Sequence, residues 1–347
     1  MVLSNTAVPV EYGRFRDAVL RGEIPVCREI SMQMNRIDAD IANPNYYYDP
    51  DAIQGFIDFC ENEMTLVDGR PLTLLPTFRL WAEDLLAWFE LKEEKVYDPQ
   101  TGKFKMIRHK RRLRNKQYLI VARGNAKSLY ATLHHAFGLV MDTNSTQQVT
   151  TAPTMAQAEE VLYPFATAIT RAGSSNEGFP LFRVLTRGRN KARTQKSQSQ
   201  LAVTKDGIVN RLTNSILEVK PMTVKKLQGS RAKYATVDEW LSGDIKEDVI
   251  GALEQSASKD GIDDYLILAV SSEGTVRDSV GDSIKRELLA ILRGEYEDPH
   301  TSIWYYRLDD VTEVGNPDMW MKACPNIGIT VSYEAYQRDV RRADYSP

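Results

Sequence analysis

At 347 residues the chain exceeds one ordinary domain and can bury a core large enough for an enzyme. With 42% hydrophobic and 26% charged residues, 20 Gly, 15 Pro and 3 Cys, it is neither collagenous, nor disordered throughout, nor a disulfide scaffold. The formal net charge of -3 hides a segregation: Lys103 to Lys116 holds eight bases and Arg183 to Lys205 seven, with no acid in either.

Residues 1–75 read as an α-helical N-terminal region interrupted by turn-rich Asn43 to Pro50 and Gly69-Arg70-Pro71. From Leu80 to Leu91 the apolar residues Leu80, Trp81, Leu85, Leu86, Trp88 and Phe89 repeat near helical spacing and predict an amphipathic helix. The first basic run follows. Then strand, loop and helix alternate: strand Gln117 to Ala122, helix Lys127 to Met141, strand Gln147 to Thr151, helix Thr154 to Thr170. Strands at Ser215 to Val219 and Tyr234 to Val237, a helix from about Ile245 to Ser258 and the strand Tyr265 to Val270 continue the pattern. Such alternation predicts an α/β fold with a mainly parallel sheet flanked by helices. Beyond Gly294 it loosens, and Ser302 to Leu308, Pro317 to Lys322 and Tyr333 to Arg342 read as a small appended element, residues 299–347.

No apolar run approaches membrane-spanning length and no basic, then apolar leader opens the chain, so the protein is expected in the cytosol with no membrane partner. Cys27, Cys60 and Cys324 are expected as reduced, buried thiols. His134 and His135 point in different directions from one helix and are expected in core or surface roles. The basic islands, including Arg187, Arg189, Lys191 and Arg193, lack interleaved aromatics and read either as phosphate contacts or as solvated loops.

Three segments carry chemistry. In Tyr118-Leu119-Ile120-Val121-Ala122-Arg123-Gly124-Asn125-Ala126-Lys127-Ser128 a strand turns into a helix that opens on Lys-Ser. Backbone N–H groups at a helix start face phosphates, the Lys reaches β- and γ-oxygens, and the hydroxyl ligates Mg²⁺. The strict phosphate-loop pattern would put Gly at Val121 and Ala126, so an ordinary strand-to-helix turn is the alternative. Tyr234-Ala235-Thr236-Val237-Asp238-Glu239 ends a strand in two carboxylates, which suits either a helix cap or a metal-and-base pair at the carboxyl edge of a parallel sheet. The strand ending in Ser271-Ser272-Glu273-Gly274-Thr275 offers hydroxyls beside that edge, or a plain polar loop.

Taken with Thr150-Thr151-Ala152-Pro153-Thr154, Leu227 and Gly229, and Asn316-Pro317 to Asn326, these segments resemble the ATPase part of the large terminase subunit of tailed bacteriophages, from about residue 75 onward. The resemblance implies a P-loop NTPase fold of the additional-strand, catalytic-glutamate type, with residues 76–298 as its core. It implies ATP bound by Arg123, Gly124, Asn125, Ala126, Lys127 and Ser128, Mg²⁺ held by Ser128 and Asp238, Glu239 as catalytic base, and Ser271 and Ser272 in a motif coupling hydrolysis to movement. Arg123 is expected on the nucleotide in cis, while Arg231 or an arginine of the second island is open as a finger toward a neighbouring subunit. Where the family carries an adenine-contacting Gln, this chain has Trp81-Ala82-Glu83.

The function implied is a motor that hydrolyses Mg-ATP and drives double-stranded DNA into a procapsid in the host cell cytoplasm. Its partners would be a portal protein, a small terminase subunit and further copies of itself in a ring. About 40 residues follow Asp309-Asp310, too few for a nuclease domain, so no nuclease activity is expected of this chain. A helicase-like DNA translocase and a non-hydrolysing nucleic-acid-binding adaptor are the alternatives.

Overall fold

The computed structural model describes residues 8–174, 179–186, 199–241, 245–259, 264–273 and 279–343. Helices α1 (Val10–Leu20) and α2 (Arg28–Ala42), the short strand β1 (Tyr46–Tyr48) and helices α3 (Pro50–Glu63) and α4 (Pro76–Leu86) come first. Proline opens both α3 and α4, where its missing N–H has no partner to lose, and the Asp49 side chain accepts from Asp51 N to cap α3. A long hairpin, β2 (Trp88–Asp98) and β3 (Lys103–Arg112), leads into β4 (Lys116–Ile120) and α5 (Lys127–Met141). Then come β5 (Gln147–Thr151), α6 (Met155–Ser174), α7 (Pro180–Thr186), β6 (Leu201–Thr204), β7 (Gly207–Asn210) and β8 (Ser215–Val219). The chain continues through α8 (Val224–Leu227), β9 (Tyr234–Asp238), α9 (Val249–Lys259), β10 (Leu266–Ser271), α10 (Val280–Leu292) and β11 (Thr301–Tyr305). Two 3₁₀ turns, Val311–Gly315 and Pro317–Lys322, precede α11 (Tyr333–Ala343).

The main sheet has eight strands in the order β11-β4-β10-β9-β5-β8-β7-β6. From β11 to β8 every pairing is parallel, and β8-β7-β6 is antiparallel. Alternate residues of each central strand feed opposite faces, as buried parallel strands require. Leu119, Val121, Leu268, Val270 and Trp304 pack toward α1 to α7, while Tyr118, Ile120, Ile267, Ala269 and Ile303 pack toward α9 and α10. The N-terminal helices thus cover one face of the sheet.

Four expectations change. The helix expected over Leu80 to Leu91 ends at Leu86, because Trp88 and Phe89 enter a ladder in which β2 pairs antiparallel with β3 from Phe89↔Arg112 to Asp98↔Lys103. The segment Ser302 to Leu308, expected in an appended element, supplies β11, which pairs with β4 and carries Trp304 and Tyr305 into the core. The β6–β7 hairpin was not expected, although Asp206-Gly207 is a turn signal; Gly207 sits at φ +145, and a Cβ there would lie 2.0 Å from the Leu217 carbonyl oxygen.

The fourth concerns the first basic island, which is not one solvated or phosphate-facing run. Arg114 is fully buried and ion-paired with Asp40 and Asp84, Lys116 meets Glu254 at 3.1 Å and Arg112 meets Asp264 at 3.0 Å. Phe104 and Met106 alternate with Lys103 and Lys105 and stand exposed, so this island does interleave an aromatic. The second island's Arg187, Arg189, Lys191 and Arg193 lie outside the described residues. All three cysteines are free and buried. His134 and His135 are core residues, and burial drives their pKa values down to about 3 and about 4, so both are neutral. No helix among the described residues is long and apolar enough to cross a membrane.

Candidate active site

Strands β4, β10 and β9 are neighbours and run parallel, so their carboxyl ends bring three sequence segments to one edge. β10 lies between the strand that feeds the Lys loop and the strand that ends in Asp238, which is the additional-strand arrangement. After β4 the backbone turns sharply, with Gly124 at φ 85 and Ala126 at φ 55, and α5 begins at Lys127. Left-handed backbone costs a residue with a Cβ roughly 1–2 kcal/mol, a strain that a strict phosphate loop avoids with glycine at the Ala126 position.

The Lys127 side chain is nearly buried. Its Nζ donates to Val121 O at 3.3 Å and to Ser272 Oγ at 3.1 Å, and it stands 3.9 Å from Glu239 Oε1. Burial lowers its pKa, while the carboxylates of Glu239 and Asp238 oppose the shift. Ser128 Oγ donates to Asp238 Oδ2 at 3.1 Å. Asp238 is 5% exposed, and its other oxygen, Oδ1, is buried without a hydrogen-bond partner. Burial, then the charge of Glu239, pushes its pKa up to about 6, against the pull of Ser128 and Lys127.

Glu239 leaves the strand at φ 52, another left-handed position, with its N–H donating to Val270 O at 2.8 Å. Its Oε1 accepts from Ser272 Oγ at 3.2 Å, and its Oε2 accepts from Ser272 N and from Ser271 Oγ, both at 3.3 Å. Ser272 therefore bridges the ammonium of Lys127 and the carboxylate of Glu239. The orphaned Asp238 oxygen beside the Ser128 hydroxyl is a hard-oxygen pair that suits Mg²⁺, whose remaining positions water and phosphate oxygens commonly fill. Neither carboxylate acts here as a cap on a described helix.

The other expected residues divide. Arg123 is exposed at the loop, and its charge adds to the depression of the Lys127 pKa. Asn125 is fully buried and turned the other way, donating to Ala122 O at 2.9 Å and to Cys324 Sγ at 3.2 Å and accepting from Asn326 N at 3.0 Å. Arg231 precedes β9 at the amino end of the sheet, opposite the edge with this chain's own Lys loop. Gly274 and Thr275 lie outside the described residues. Trp81 and Glu83 serve the core, with Trp81 Nε1 donating to Tyr306 OH at 2.9 Å and Glu83 accepting from Glu11 N and Tyr12 N.

The segment before α11, singled out in the sequence only for its family resemblance, is laid across the loop, a contact that the sequence does not show. Ala122 N donates to Ala323 O at 3.2 Å, Asn326 Nδ2 reaches Asn125 O at 3.4 Å, Thr77 Oγ1 donates to Asn326 Oδ1 at 2.8 Å, and Val331 packs on Gly124. Beside it lies a largely apolar cavity of about 440 Å³, lined among others by Phe15, Val26, Leu80, Tyr306, Ile329 and the polar Thr77 and Asn326. The Cys324-Pro325-Asn326 triplet was the available signal, but nothing in its spacing pairs it with a loop 200 residues away.

No protein-family model matches this sequence, and no curated protein does. Among solved structures, the large terminase of bacteriophage HK97 superposes with TM-score 0.61 at 17% identity, over 85% of this chain and 52% of that one. This chain thus spans about half the length of that terminase. The ATPase domain of the Thermus phage P74-26 large terminase, in wild-type and variant forms, matches at 17% and 16% identity over 61% of this chain and 84% of that domain. The TM-score of that match is 0.38. The resemblance read from the motifs holds in three dimensions at the level of fold: the chain has the α/β P-loop architecture of a phage large terminase.

Proposed function

We propose that this chain is the Mg-ATP-hydrolysing motor of viral DNA packaging. The observation that carries the reading is the convergence of Lys127-Ser128, Asp238-Glu239 and Ser271-Ser272 on one sheet edge, with an unpartnered carboxylate oxygen at its centre. Loop N–H groups, Lys127 and Arg123 would bind the phosphates of ATP. Ser128 and Asp238 would hold Mg²⁺, which when bound neutralises charge on the phosphate oxygens.

Glu239 orients the attacking water and takes its proton as the water oxygen bonds to the γ-phosphorus and the bridging P–O bond breaks, releasing ADP and phosphate. For this, the Ser272 and Lys127 contacts to Glu239 must be exchanged for substrate. Lys127 then meets the phosphates and Glu239 is freed for water. Ser271 and Ser272, touching the base directly, are placed to pass the presence of the γ-phosphate to β10. The cavity lined by Tyr306, Thr77 and Asn326 has the size and apolar character to seat a planar base.

In this reading the motor acts on double-stranded DNA in the host cell cytoplasm, as a homo-oligomeric ring on a portal protein, with a small terminase subunit as partner. No DNA cleavage is assigned to it; Mg²⁺- or Mn²⁺-dependent cutting of plasmid by the pure chain would overturn that part. The test of the motor is ATP turnover with and without duplex DNA. Lys127→Ala is expected to lose nucleotide binding, and unchanged ATP affinity by calorimetry would remove Lys127 from the site. Absence of any turnover in the wild type, with DNA binding retained, would favour a non-hydrolysing adaptor.

A further inference from the structure

The β2–β3 hairpin takes no part in the nucleotide site. It joins the body at the amino end of β4, whereas the Lys loop lies at the carboxyl end. In its sheet the order is β1-β2-β3, so one edge of β3 has no strand beside it among the described residues. Directly paired residues of an antiparallel ladder share a face. Leu91↔Lys110, Lys95↔Met106 and Tyr97↔Phe104 therefore lie on one side of the arm. On that side Leu91 is 39% exposed, Tyr97 52%, and Phe104 and Met106 62% each.

Residues 88–112 carry eight bases and four acids, a net +4 on a chain whose total is -3. β3 alone has six Lys or Arg and no acid in ten residues. Its ion pairs to β2 are loose: Lys105 to Asp98 at 3.4 Å, Arg111 to Glu90 at 3.7 Å and Arg108 to Glu93 at 3.9 Å. Arg108 with Glu93 and the Lys105 ammonium are exposed, and pairs of this kind contribute little, so a denser anion can replace their carboxylates.

We propose that this hairpin is an arm that grips a DNA duplex edge-on, with Lys103 and Lys105 on one face of the ladder and Arg108 on the other reaching backbone phosphates, and Tyr97, Phe104 and Met106, on the Arg108 face, against the wall of a groove. Two features favour a duplex over an acidic protein segment. Duplex DNA offers about one negative charge per 1.7 Å, a continuous density that matches a strand with bases at six of ten positions. A protein strand added at the edge alternates its side chains and can set acids against only one face. The edge is also about 30 Å long at about 3.3 Å per residue, close to one helical turn. Exposed apolar side chains flanked by cations are how minor-groove arms wedge against sugars and base edges.

The identity of the partner rests on the proposed function, but its test does not depend on ATP hydrolysis. Binding of the intact chain to a fluorescent duplex of about 30 base pairs is measured across a salt series. Lys103→Glu/Lys105→Glu/Arg108→Glu should reduce the steepness of log affinity against log salt by about 2–3, near 0.9 per phosphate contact, and weaken low-salt binding at least tenfold. Phe104→Ala/Met106→Ala should weaken binding several-fold at unchanged salt slope.

ATP turnover without DNA, read alongside circular dichroism, should match wild type in both variants, which shows that they fold. A wild type without turnover would remove the motor reading while leaving the binding result to judge the arm. Wild-type affinity and slope in the charge-reversed variant would overturn the proposal and leave the face to a protein partner. Single-strand binding as tight as duplex binding and abolished in Phe104→Ala would overturn the duplex assignment in favour of base stacking.

Discussion

Asp238 is a buried carboxylate with one oxygen on Ser128 and the other on nothing, and Glu239, one residue on, is held by two serines. Their surroundings predict different failures. Glu239→Gln keeps size and hydrogen bonding but removes the base, so ATP should still bind while turnover falls by about 10²-fold or more. Asp238→Asn should instead weaken the Mg²⁺ dependence. Steady-state rates against Mg²⁺ decide it, and the reverse pattern would exchange their roles. Asp238 also predicts a stability effect. Its folded pKa of about 6 lies above the ordinary aspartate value of 3.8, so ionising it opposes folding; that cost is full above pH 6 and gone below pH 4. Without Mg²⁺ or nucleotide, Asp238→Asn should therefore be more stable than wild type at pH 8, by up to about 3 kcal/mol, and the gap should close as pH falls toward 4. Chemical denaturation at the two pH values tests this, and equal gaps at both would show that the carboxylate is not destabilised by burial.

The segment before α11 acts on the loop as an element. Asn326 is fully buried and bonds Asn125 through both its backbone and its side chain, while its amide oxygen takes the Thr77 hydroxyl. The loop already carries a strained Ala126, so its shape depends on such outside support. Asn326→Ala should leave the Asn125 carbonyl and the Thr77 hydroxyl without their Asn326 partner, costing about 1–3 kcal/mol, and should raise KM for ATP by about an order of magnitude with a smaller change in kcat. Thermal melts and rates over an ATP series read both effects. A stability loss with unchanged KM would make the segment a structural strap only.

At the scale of the molecule, one buried polar network joins the N-terminal helices to the sheet. Arg114, at the start of β4, pairs with Asp40 of α2 and Asp84 of α4, and Asp84 also accepts from Gln33, Ser302 and Trp304. Burial opposes the Arg114 charge, but the two carboxylates hold its pKa above the ordinary value. Removing one member strands the others, so Arg114→Met should cost about 3–5 kcal/mol. Denaturant unfolding tests it, and a loss below about 1 kcal/mol would mean that the helices are held by apolar packing alone. The network also fixes β11 beside β4, at the edge where the apolar cavity opens.

The strand, loop and helix alternation from Gln117 to Val270 was legible because parallel strands buried on both faces must be short and apolar and must be separated by helices. The Lys-Ser helix start, the Asp238-Glu239 strand end and the Ser271-Ser272 strand end were legible because each is local chemistry at the end of one element. Periodicity and spacing do not show that β10 lies between β4 and β9, since strand order is set by how crossovers pack; only the family resemblance implied that order, and it puts Ser272 between Lys127 and Glu239. Nor could it tell which bases of one run are structural: Arg114 and Lys103 look alike in sequence, yet one is buried between aspartates and the other is exposed at a hairpin tip. Periodicity misled at Leu80 to Leu91 because a helix face and a strand ladder share Trp88 and Phe89, and only the cross-strand partners Leu113 and Arg112 resolve the ambiguity. Contacts between residues far apart in the chain, Asn125 with Asn326 above all, belong to the folded molecule, because loop closure over such distances is driven by the whole core and not by either residue.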